Sequence, residues 1–74
     1  MDKDNLIKMA NKIGYFFESM PDRDQSLEDI ANHIKKFWAP SMRKQIIKSI
    51  DTNTNEGMSK IVLDAIKTHR NNLS

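Results

Sequence analysis

Ile30-Ala31-Asn32-His33-Ile34-Lys35-Lys36-Phe37-Trp38-Ala39-Pro40-Ser41-Met42-Arg43 is the stretch on which the fold turns. Ile30, Ala31, Ile34, Phe37 and Trp38 recur at three- and four-residue steps, which places them on one face of a helix. Pro40 ends that helix, because the residue before a proline is pushed out of the helical region. It also suits the first turn of a new helix, where its missing N–H is not needed. Two packed helices joined by a short corner follow. Arg43 then falls in the first turn of the second, on its apolar side. A cation there opposes the helix dipole by a few tenths of a kcal/mol or more.

Working outward, the same periodicity appears three more times. Leu6, Met9, Ala10, Ile13, Phe17 and Met20 form a stripe on a helix from about Asp4 to Met20, which Pro21 stops. Pro21-Asp22-Arg23-Asp24 reads as a turn, so the helix carrying Ile30 is expected to start near Ser26, with Glu28 and Asp29 in its first turn. Beyond Pro40, Met42, Ile46, Ile47 and Ile50 carry a helix to about Asp51. The polar loop Thr52-Asn53-Thr54-Asn55-Glu56-Gly57 follows. Ser59 is a plausible N-cap for a last helix bearing Ile61, Val62, Ala65 and Ile66, and Asn71-Asn72-Leu73-Ser74 is expected to fray. The fold class is all-α, a small compact bundle of about four short helices with short, antiparallel-favouring connections.

At 74 residues the chain reads as a single domain, 1–74, near the size where a core is only marginally sufficient. It has no cysteine, hence neither a disulfide nor a thiolate metal site, as in a reducing compartment. Met1 to Asn5 are polar and charged with no apolar core of a signal peptide, and no apolar run approaches the roughly 18 residues of a membrane span. A cytoplasmic protein is expected. His33 and His69 are isolated and no glycine-rich phosphate loop is present, so neither a metal, a cofactor nor a catalytic residue is assigned.

The net charge of +2 is small, but its distribution is uneven. No acid occurs between Asp29 and Asp51, whereas Lys35, Lys36, Arg43, Lys44 and Lys48 all do. This run reads either as a solvated helix face or as the footprint of a small helix-turn-helix binding nucleic acid, since the corner at Phe37–Met42 has about the right length. Several apolar residues do not fit a self-contained core. Tyr15 projects opposite the first stripe, Phe16 at its flank, Leu63 off the last stripe and Ile47 at the edge of the third. Trp38 either caps the core or anchors a partner, and Arg43 either snorkels to this chain's own groups or forks onto a partner's carboxylate. Tyr15, Phe16, Trp38, Arg43, Ile47 and Leu63 are therefore the candidate partner-binding residues. Gly14, mid-helix, implies close approach of another helix, as it weakens its own by about 1 kcal/mol relative to alanine.

Met9-Ala10-Asn11-Lys12-Ile13-Gly14-Tyr15-Phe16-Phe17, Met20-Pro21-Asp22, Ile30-Ala31-Asn32-His33-Ile34 and Phe37-Trp38-Ala39-Pro40-Ser41-Met42-Arg43 together resemble the delta subunit of bacterial NAD-dependent formate dehydrogenase. The likeness runs from about Leu6 to Ile66. It implies a small accessory subunit of a cytoplasmic molybdenum or tungsten complex. In such a complex the larger subunits hold the pterin cofactor, iron–sulfur clusters and flavin that oxidise formate and reduce NAD, and delta holds none of them. The expected partners are those larger subunits, with self-association possible in isolation and with neither membrane nor nucleic acid expected.

Overall fold

In the computed structural model, which describes residues 2–74, the starts of the first two helices are set by carboxylates. Asp2 caps α1 (Lys3–Glu18), accepting the Asp4 N–H at 3.0 Å. Asp22 caps α2 (Arg23–Phe37), accepting the Gln25 N–H at 3.2 Å. α2 thus begins three residues before the expected Ser26. Asp22 makes the capping bond, and the Ser26 hydroxyl has another use: buried, it lies 3.0 Å from both Phe17 O and Asp22 O. It joins the end of α1 to the start of α2. α1 itself stops at Glu18, two residues earlier than expected, because the chain is already turning toward Pro21.

α3 (Pro40–Asp51) opens on Pro40 as expected, with Ala39 in the extended region before it. The loop after α3 folds back on it, with Thr54 N–H donating to Ser49 O at 2.8 Å and Asn53 in the left-handed region at φ 55°. α4 (Lys60–Thr68) starts after Ser59, but the Ser59 hydroxyl makes no capping bond. Asn11 of α1 takes over. Its side-chain oxygen accepts the Ser59 N–H at 2.9 Å, and its amide donates to Gly57 O at 2.8 Å. The tail expected to fray instead forms α5 (Arg70–Leu73), with Leu73 only 1% exposed. Burying that one leucine orders the segment. Met1 lies outside the described residues, and no strand occurs among them.

The protein is all-α. α2 packs against α1, α4 and α5, while α3 lies against α1. One continuous core joins Leu6 and Ala10 of α1, Leu27, Ile30, Ala31 and Ile34 of α2, Ile46 and Ile47 of α3, and Ile61, Val62, Ala65 and Ile66 of α4. Trp38 and Leu73 close its ends. On α1 the buried face is rotated from the expected stripe: Ile7 is buried, while Met9 is exposed, and Met20, beyond the helix end, is exposed too. Gly14 causes the rotation. A Cβ there would sit 2.7 Å from Val62 Cγ2 and 3.1 Å from Ile61 Cγ2, so α4 presses directly onto the α1 backbone. The contact leaves the Met9 side of the helix uncovered.

Two ion pairs tie the helices at the surface. Arg70 grips Asp51 with two bonds of 2.6 and 2.7 Å, linking α5 to the C-terminal end of α3, and Arg23 meets Asp64 at 2.8 Å, linking α2 to α4. The hydrogen bond from Arg70 holds the Asp51 carboxyl below its ordinary pKa, and that from Arg23 does the same for Asp64.

Two outcomes follow from this packing. Gly14→Ala is expected to lower stability by about 1 kcal/mol despite its better helix propensity, because overpacking against the stiff, branched Val62 and Ile61 typically costs ~1–3 kcal/mol. A urea midpoint equal to or above wild type would show that α1 and α4 can part without loss. For the ion pairs the folded-state pKa values are depressed. Their contribution is therefore complete above the unfolded aspartate value of ~3.9 and is lost as pH falls through and below it. Thermal melts are expected to show a decline below about pH 4 that is shallower in an Asp51→Asn/Asp64→Asn variant. Parallel curves for the two proteins would rule the pairs out as its source.

Candidate partner-binding surface

The corner between α2 and α3 explains the position of Arg43. α2 ends with Trp38 in an extended conformation, its N–H donating to Ile34 O at 2.9 Å. The last carbonyls of a helix have no partner within it and form its negative end. Arg43 Nη1 donates to Trp38 O at 2.7 Å and Lys35 O at 3.2 Å, and its Nε donates to Leu73 O at 3.1 Å. The cation thus lies in the first turn of α3 by sequence, yet serves the C-terminal ends of α2 and α5 in space. Its guanidinium is engaged by its own backbone, and it does not project as a free fork.

The six candidate partner-binding residues do not form one patch. Trp38 is 6% exposed and Ile47 is also buried, both within the core cluster. Leu63 is half-buried. Tyr15 and Phe16 are 81% and 62% exposed, but adjacent helix residues point about 100° apart, so the two side chains diverge. Of the basic run, Lys35, Lys36, Lys44 and Lys48 are exposed, while Arg43 is half-buried and turned inward.

A different set does converge. Met9, Ile13 and Phe16 follow one another at four- and three-residue steps on the side of α1 that α4 leaves uncovered. Phe37, which sequence periodicity assigned to the core, is 65% exposed at the end of α2. Between them lies an open groove lined by Met9, Lys12 and Ile13 of α1, His33 and Phe37 of α2, then Trp38 and Met42. The His33 and Phe37 rings stand 4.7 Å apart, and Lys36 Nζ lies 5.6 Å from the Phe37 ring centroid. Sequence projection missed Phe37 because it continues the α2 stripe one step past the point where the neighbouring helices stop covering it. Its adjacency to Trp38 was the available signal: two large consecutive aromatics cannot both face one core.

Among the described residues no cluster of three His, Cys, Asp or Glu side chains is arranged to hold a metal ion, and no helix is long and apolar enough to cross a membrane. The family model described as NADH-dependant formate dehydrogenase delta subunit FdsD matches residues 5–66. The chain belongs to the FdsD family. The matched region begins inside α1 and reaches into α4, so it contains the corner, the Gly14 contact and every residue of the groove. No curated protein and no solved structure matches the chain.

Arg43→Ala is expected to lower stability by roughly 2 kcal/mol, since hydrogen bonds to charged groups contribute about 1.5–3 kcal/mol. Arg43→Lys should recover only part, because a single ammonium cannot reproduce the fork of Nε and Nη1. Hydrogen exchange at residues 70–74 should speed up in both variants. Unchanged exchange there, with an unchanged urea midpoint, would remove the clamp from the account.

Proposed function

We propose that this FdsD-family chain is a non-catalytic accessory subunit that binds the larger subunits of a cytoplasmic NADH-dependent formate dehydrogenase and helps to assemble or stabilise the complex. The family match over residues 5–66 carries the reading. The exposed apolar side chains of Met9 and Phe37, which line one groove, support it, since grouped apolar surface on a small protein marks a partner. On this reading formate oxidation and NAD reduction belong to the other subunits, and this chain contributes surface and no reacting group. The helix-turn-helix alternative draws less support, because Arg43, the one arginine in the basic run, is held against its own backbone.

The test is a tagged full-length chain expressed in its native host, with the co-purifying chains identified after nuclease treatment. The large formate dehydrogenase subunits are expected to be retained, and deletion of the chain is expected to reduce the amount of assembled complex. Retention of nucleic acid in their place, lost on nuclease treatment, would replace this reading with the alternative.

A further inference from the structure

We infer that the groove between α1, α2 and α3 receives a segment of the large formate dehydrogenase subunit that presents an apolar side chain flanked by carboxylates. The inference rests on the accessory-subunit reading above and adds the surface and the chemistry of what it binds.

Three observations converge on the groove. Its floor is apolar, formed by Met9 and Ile13 from one helix and Met42 and the edge of Trp38 from the corner, with Phe37 standing beside it 65% exposed. Methionine side chains adapt to the shape of an inserted residue, which suits a receiving surface. Its rim carries one sign of charge. Lys12 lines it on the α1 side, Lys36 lies just outside the lining with its Nζ 5.6 Å from the Phe37 ring centroid, and no carboxylate is among the described residues that line the groove. Asp29, one turn before His33, is outside the lining and already accepts from Gln25 Nε2 at 2.9 Å.

The charge selects the occupant. A second copy docking through the same face would set Lys12 and Lys36 against their own equivalents, because a two-fold contact apposes a patch to itself. A nucleic-acid backbone would meet the cations but leave the methionines and Phe37 facing a polar strand. An apolar anchor between carboxylates satisfies both the floor and the rim.

The test measures binding of the full-length chain to purified formate dehydrogenase complex lacking it, at two salt concentrations. Phe37→Glu is compared with Lys12→Glu/Lys36→Glu, and with Lys67→Glu on α4 as a surface control outside the groove. All three alter exposed residues, and circular dichroism checks that each variant is folded before binding is measured. Phe37→Glu is expected to weaken binding at least tenfold. Lys12→Glu/Lys36→Glu should weaken it several-fold and abolish its salt sensitivity, while Lys67→Glu should bind as wild type. If wild type binds and the groove variants bind equally well, the groove is overturned while the accessory-subunit reading stands. If wild type does not bind the complex at all, that reading fails and the groove assignment fails with it. If wild type sediments as a dimer that Phe37→Glu dissociates without changing complex binding, the groove belongs to a second copy and the inference is overturned.

Discussion

The reach of Arg43 back across the α2–α3 corner is the constraint on which the rest depends. A tight turn through Ala39-Pro40 brings the first turn of one helix beside the last turn of another. Unpaired carbonyls and a negative helix end then lie within a side chain's length of residue 43. Only a planar group with several fixed donors can serve Trp38 O, Lys35 O and Leu73 O together. One side chain therefore bridges the corner, the carbonyl of Trp38 and the end of the short terminal helix. The position looks unfavourable within α3 alone and favourable once the ends of α2 and α5 are considered.

The second constraint is the absence of a side chain at Gly14. It lets Val62 and Ile61 reach the α1 backbone, and Asn11 one turn earlier fastens the loop before α4 in place. Because α4 covers one flank of α1 so closely, the helix's apolar stripe is divided. Ile7 and Ala10 belong to the core, and Met9 and Phe16 remain outside. The uncovered half is not an accident of a poor core. It is the geometric consequence of seating α4 on glycine, and it places apolar residues beside Phe37, where the corner has turned Trp38 inward. The fold and the groove are thus two results of the same packing.

Much of the fold was legible in the chain. Period and punctuation located four helices, and Pro40 opened α3 where its chemistry said it should. The errors were local: Asp22 outcompeted Ser26 as a cap, and the chain left α1 before Met20. The surface was far less legible. A helical projection tells which residues share a face but not how wide a face the neighbours will cover. Projection set Phe37 and Trp38 about 100° apart, as it did Met9 and Ala10, but did not tell which of each pair the neighbouring helices would cover. Tyr15 and Phe16 are both exposed yet diverge, while Trp38 and Ile47 belong to the core.

The sequence by itself determined the all-α class, the four longer helices and the proline-made corner, because these follow from short-range periodicity and backbone sterics. Its motifs also carried the family likeness, since those depend on residue identity alone. Only the tertiary structure decided what Arg43 holds, why Gly14 is there, that Leu73 is buried and which apolar residues are left to face outward. Each of those depends on helices distant in the chain meeting at ångström range, and no spacing within one helix encodes that distance.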